Sequence, residues 1–117
     1  PLEFDGVIAA NPGFRLSRAA VAQQWDYQQF MKIAPQNVQG EKILAHAFTV
    51  DDLNQLSQAI AAQCDVRDGL QDGIVNAWET CDFTPDSLNW PKNKIAALKA
   101  IFDGAKNSQG QPIYSGW

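Results

Sequence analysis

The clearest periodicity in the chain is Leu53, Leu56 and Ile60, with Ala59 beside them. Side chains at this spacing share one helical face, so the run predicts an amphipathic helix with an apolar core stripe. Thr49 opens it. Its hydroxyl can accept the Asp52 amide, and Asp51 and Asp52 suit the positive end of a helix. The helix is expected to run into Cys64. Ile95, Leu98, Ile101 and Phe102 predict a second helix, with Pro91 at its first position and Gly104 as its stop. A third is predicted over residues 17–32, with Ser17 as its N-cap and Pro35 ending it. Val21, Trp25, Gln28 and Lys32 fall on one stripe of that helix, and Ala22, Trp25 and Gln29 on the next. Its aromatics, Trp25, Tyr27 and Phe30, read as packing groups, the alternative being the lining of a substrate cleft.

Extended structure is predicted only in short pieces. Residues 4–10 read as a strand broken by Asn11-Pro12-Gly13, and residues 74–78 as a brief strand or turn. Residues 84–88 read as a loop or single turn, and residues 107–110 as a turn before the extended Pro112-Ile113-Tyr114. Residues 34–40 form a loop, and residues 41–48 are ambiguous. No internal repeat is apparent. The fold class is mainly α with short β pieces.

At 117 residues the chain allows one domain with a modest core. Hydrophobic residues make up 45% and charged residues 19%, the balance of a globular chain rather than a disordered one. A net charge of −4 and a pI near 4.7 argue against nucleic acid as a partner, since phosphate binding needs a basic face. No apolar run is long enough to span a bilayer, and no signal peptide is visible.

The densest chemistry lies in Cys64-Asp65-Val66-Arg67-Asp68-Gly69-Leu70-Gln71-Asp72-Gly73-Ile74, followed by Cys81. Three carboxylates crowd together with only Arg67 between them. A hard divalent cation would relieve their repulsion, and calcium tolerates this mixture of carboxylates and carbonyls better than magnesium does. Glycine permits positive φ, so each Asp-Gly step can turn the chain and swing a carbonyl inward. The candidate ligands are the side chains of Asp65, Asp68 and Asp72 and the carbonyls of Leu70 and Ile74. The spacing is not that of an EF-hand, because Arg67, Gly69 and Asn76 occupy the positions where that loop needs acids. Two ordinary Asp-Gly turns with solvated acids are the plain alternative. Cys64 and Cys81 are either free and buried or bridged. Zinc is disfavoured by two cysteines and the single His46, which reads as structural or surface.

The run CDVRDGLQDGIVNAWETCDFTPDSL resembles the tannase and feruloyl esterase family of α/β-hydrolases, as do LKAIFDGAKNSQGQPIYSGW and FDGVIAANPGFRLSRAAVAQQWD. The resemblance covers nearly the whole chain. It implies a structural calcium held by Asp65, Asp68, Leu70, Asp72 and Ile74, and a disulfide between Cys64 and Cys81. A bridge of this separation removes on the order of 3 kcal/mol of unfolded-state freedom. A disulfide in turn implies a secreted or periplasmic location. The chain departs from the family in lacking a further cysteine pair after Cys81; Leu88-Asn89-Trp90-Pro91 stands in that region.

The resemblance further implies that residues 1–16 are a remnant of the hydrolase core, carrying one core strand. Residues 17–117 would be a segment of the lid, with the calcium loop at 64–81, packing on the α/β-hydrolase core. The parent activity it implies is a serine esterase acting on small aromatic carboxylic esters. Such an enzyme needs a serine in a Gly-x-Ser-x-Gly-like elbow, a histidine and an acid. Ser17, Ser57 and Ser115 lie outside such a frame, so no catalytic residue is assigned, and the chain reads as an internal slice of a longer enzyme. The rival reading is a non-enzymatic, calcium-stabilised helical module whose tryptophans stack on a carbohydrate or another partner.

Overall fold

The computed structural model describes residues 6, 8, 10, 13 and 15–116. The strand expected at 4–10, and with it the core remnant at 1–16, falls for the larger part outside the described residues. Three helices carry the fold: α1 (Leu16–Ile33), α2 (Val50–Cys64) and α3 (Lys92–Asp103). Among the described residues there are isolated antiparallel bridges but no strand, so residues 74–78 form no strand and lead into a 3-10 turn, Trp78–Thr80.

Helix α1 does not start at a serine cap. Arg15 is its N-cap, in the left-handed region at φ 56°, and no side chain caps the first turn. The Arg15 carbonyl accepts the amides of Arg18 and Ala19 at 2.9 and 3.2 Å, which leaves Ser17 inside the helix. The inward face follows the Ala22, Trp25, Gln29 stripe rather than the Val21, Gln28, Lys32 one. Ala22, Trp25, Asp26, Gln29, Phe30, Met31 and Ile33 are the covered positions, while Val21 is exposed. Trp25 decides the choice, since its Nε1–H donates to the Ala100 carbonyl of α3 at 2.7 Å. The first turn of α1 faces residues 114–116, beyond the end of α3. Phe30, near the other end, leads through Phe48 to Trp90, which precedes α3. The two helices therefore run antiparallel.

The capping box of α2 forms as the sequence predicts. The Thr49 hydroxyl accepts the Asp52 amide, and the Asp52 carboxylate accepts the Thr49 amide. Leu56, Ala59 and Ile60 are partly covered, but Leu53 is 53% exposed, so the apolar stripe is not closed over at its start. Asp52 ties α2 to α3 through Lys94 at 2.7 Å, and the Lys94 ammonium also lies 5.6 Å from the Trp90 ring and 5.9 Å from the Phe48 ring. Trp90 completes the joint by donating to Gln55 Oε1 at 3.0 Å. In α3, Leu98 and Ala97 are buried and Gly104 ends the helix at φ 73°. A Cβ on Gly104 would sit 2.8 Å from the Tyr114 ring, so glycine is required there twice over.

A repeat absent from the expectations emerges in the backbone. Helices α1 and α3 both end in the same hairpin, displaced by 70 positions (107 − 37 = 70). Asn37 and Asn107 each accept two amides on the side-chain oxygen, from Gln39 and Glu41 and from Gln109 and Gln111, at 2.9–3.0 Å. Gly40 and Gly110 follow at φ 82° and 78°. Ile43 donates to Pro35 at 2.8 Å and Ile113 to Ala105 at 2.9 Å. The second copy contains the turn expected at 107–110. His46 is exposed at the end of the 3-10 turn Leu44–His46, as its surface reading required.

Burial pushes the Asp52 carboxyl up, but hydrogen bonds from Lys94 and Thr49 outweigh it and hold the group below its usual range. A carboxyl depressed in the fold stabilises it above the unfolded value, about 3.9, and that contribution is lost as pH falls through the lower folded value. Asp52→Asn should therefore lower the unfolding free energy at neutral pH by about 1–3 kcal/mol and flatten its fall below about pH 4. Urea denaturation across a pH series measures both.

Candidate metal centre

Helix α2 delivers Cys64 and Asp65 into the protein, at 0% and 5% exposure. The chain passes directly into a tighter 3-10 turn, Asp65–Asp68, which Gly69 stops at φ 94°. Gly73 supplies a second left-handed turn at φ 84°. Both Asp-Gly steps thus turn as the sequence implies, and the loop folds back on itself twice. The Gly73 amide donates to both oxygens of Asp65 at 3.1 and 3.2 Å, and the Asn76 amide donates to Asp68 Oδ2 at 3.1 Å. Shorter turns use the same acids: Leu70 donates to Asp68 Oδ1 and Ile74 to Asp72 Oδ1, each at 3.0 Å. The Leu70 and Asn76 amides hold the Asp68 carboxyl below its usual range.

The disulfide is formed, Cys64 to Cys81, with the Cα atoms 5.3 Å apart. Arg67 does not neutralise the loop acids that flank it in sequence. Its guanidinium turns outward to the Thr80 carbonyl and the Asp82 carboxylate, which the Gln63 amide also reaches at 2.7 Å. The Gln63 hydrogen bond, then the Arg67 charge, lower the Asp82 carboxyl. This polar clamp lies directly outside the disulfide. Sequence reasoning missed it, although Gln63 and Arg67 stand one helical turn apart and Asp82 adjoins Cys81.

With Arg67 turned away, no cationic side chain pairs with Asp65, Asp68 or Asp72 among the described residues. Asp65 is the telling case: a buried carboxylate with a single amide donor and no counter-charge is costly unless a cation compensates it. The donor chemistry, oxygens only, suits a hard cation. The three carboxylates do not converge into one acidic group, since each is turned onto a backbone amide. The Leu70 and Ile74 side chains are 61% and 58% exposed, which leaves only their main chains within the loop's bonding.

Removing the disulfide with Cys64→Ser and Cys81→Ser together should cost about 2–4 kcal/mol in chemical denaturation. Asp82→Asn should cost less than about 1 kcal/mol, because that pair is solvent-exposed.

Three similarities to known proteins extend along this chain. The family described as tannase and feruloyl esterase matches residues 1–117. A mono(2-hydroxyethyl) terephthalate hydrolase of Piscinibacter sakaiensis is 32% identical over 138 aligned positions, covering all of this chain and 23% of the relative. A protein of Arthroderma benhamiae named "Probable feruloyl esterase" is 27% identical over 127 positions, covering 97% of this chain and 21% of the relative. The chain thus spans between a fifth and a quarter of the length of these relatives.

Proposed function

The chain belongs to the tannase and feruloyl esterase family, and from that membership we propose that it forms the first part of the lid of a serine esterase acting on aromatic carboxylic esters. Identity to a named ester hydrolase along the full chain carries this reading. Residues 1–16 are then the exit from the catalytic core and residues 17–117 the lid segment. A lid roofs the reacting ester and excludes water from the chemistry. The surface supports the role. Leu53, Val66, Leu70, Ile74 and Trp78 are all more than half exposed. Ile60, Val75, Trp78, Phe83 and Phe102 line an open groove of about 510 Å³. Apolar surface on this scale favours packing on the rest of the enzyme.

Asp65, Asp68 and Asp72, with the carbonyls of Leu70 and Ile74, are the residues that would hold calcium. A bound calcium would supply positive charge beside the buried Asp65, a structural task; in the loop as described the three carboxylates are turned onto separate backbone amides. The disulfide supports a secreted or periplasmic setting, where such bonds persist. A sugar-stacking module has less support: Trp25 and Trp90 are held by their indole hydrogen bonds, and among the described tryptophans Trp78 alone stands largely exposed.

Chelation should lower the thermal midpoint of the protein. A ligand at about 100 times its dissociation constant stabilises the fold by about 2.7 kcal/mol, and Asp65→Asn should abolish the calcium-dependent part. An unchanged midpoint in both tests removes the metal from the account. The polypeptide of residues 1–117 should not hydrolyse methyl ferulate or methyl gallate. Saturable hydrolysis, lost on substituting a residue within it, would overturn the lid assignment.

A further inference from the structure

The bridge between Cys64 and Cys81 is lopsided. Cys64 closes α2 at 0% exposure, and the residue after it, Asp65, is buried too. Cys81 is partly exposed and borders the open groove of about 510 Å³. The groove walls beside it are aliphatic and aromatic, Ile60, Val75, Trp78, Phe83 and Phe102. Among the described residues, Glu79 is the only charged side chain that lines this groove. A disulfide exchanges when a thiolate attacks one of its sulfurs and the other leaves, so access decides which sulfur is struck. Approach to Cys64 requires the buried end of α2 to open first. Approach to Cys81 needs no such opening, since the groove already reaches that residue.

We propose that Cys81 is a thiol-exchange site, at which a small uncharged thiol opens the bridge and remains attached. The attacking thiolate forms a bond to Cys81 Sγ and the Cys64–Cys81 bond breaks. Cys64 Sγ leaves with the electron pair and takes up the proton that the attacking thiol gave up. One disulfide replaces another, so no outside oxidant or reductant is consumed. The leaving sulfur gains its charge at the C-terminal end of α2, where the helix dipole disfavours an anion. That slows the step without redirecting it, because the alternative attack at Cys64 is closed off by burial. Return attack by Cys64 expels the added thiol. The pairs that Gln63 and Arg67 make with Asp82, and Arg67 with the Thr80 carbonyl, do not involve the sulfurs and keep the two cysteines close for that return. Glu79 and the net charge of −4 select against anionic thiols. The inference stands on the bridge and the groove and needs neither ester cleavage nor calcium. Packing of this face on a catalytic core would close the groove, so the exchange belongs to the chain with the face open. Failure leaves the lid assignment untouched.

The test treats the intact 117-residue protein with 2-mercaptoethanol in the absence of denaturant. The reaction is stopped early with acid, free thiols are blocked, and the adduct is located by peptide mass spectrometry. It should lie on Cys81 in preference to Cys64 by at least about tenfold, and the preference should vanish in denaturant. An even distribution in the native protein, or an adduct mainly on Cys64, overturns the proposal. So does a preference that survives denaturation, because the fold would not be its cause. At equal thiolate concentration 3-mercaptopropionate should react at least about threefold more slowly; an equal rate removes the selection for uncharged thiols. Single-cysteine variants give a second reading. The free Cys81 of a Cys64→Ser protein should react with iodoacetamide at least about tenfold faster than the free Cys64 of a Cys81→Ser protein. Equal rates in two variants that keep the parent's circular dichroism spectrum also overturn it. The adduct mapping uses the unaltered chain, so a variant that fails to fold leaves the proposal open to refutation.

Discussion

The covalent tie at the buried end of α2 is the constraint on which the rest of the chain relies. Between Cys64 and Cys81 the backbone has no regular element longer than one turn, and its large apolar side chains, Val66, Leu70, Ile74 and Trp78, point outward. Such a segment buries too little to order itself against its own conformational entropy. Closure at 5.3 Å between the Cα atoms fixes both ends, and the amide contacts to Asp65 and Asp68 then divide the interior into two small rings. Outside the bridge, Arg67 draws together the chain on both sides of it. The loop is therefore shaped from its ends inward, and the acids inherit their positions from that closure.

The helical part is held by a different economy. Its fully buried apolar residues are mostly small, Ala34, Ala47, Ala97 and Ala105 among them, so the helices pack closely but cover little surface. Lys94 offsets this at the joint between α2 and α3, where one ammonium serves Asp52, Phe48 and Trp90 together. A cation over aromatic faces and beside a carboxylate gains from all three contacts. Removing any one leaves the others less well satisfied.

Much of this was legible along the chain because it is local. The Thr49–Asp52 cap, the glycine stop at Gly104 and the Asp-Gly turns are each decided within about four residues. The disulfide required the family resemblance, since two cysteines alone leave pairing open. What escaped was tertiary. The start of α1 depends on the left-handed Arg15, which no propensity marks, and the choice between its two expected stripes depends on one indole reaching Ala100. Arg67 sits among acids in sequence and turns from them in space, because Asp82 and the Thr80 carbonyl lie beyond the disulfide. The paired hairpins share only Asn, Gln, Gly and Ile at matching positions, too sparse a signature to notice before the hydrogen bonds reveal it.

Those hairpins give the chain a modular grammar. Because α1 and α3 run in opposite directions, the two identical closures sit at opposite ends of the pair and act as brackets. Everything between the first bracket and α3, including α2 and the acidic loop, is an interposed cassette tied to α3 by the Asp52–Lys94 and Asp86–Lys99 pairs and to α1 by the Phe30–Phe48 contact. Relatives can lengthen, shorten or rewrite that cassette without altering the register of the bracketed helices. Sequence change should then concentrate between the brackets, while the asparagine in each stays put.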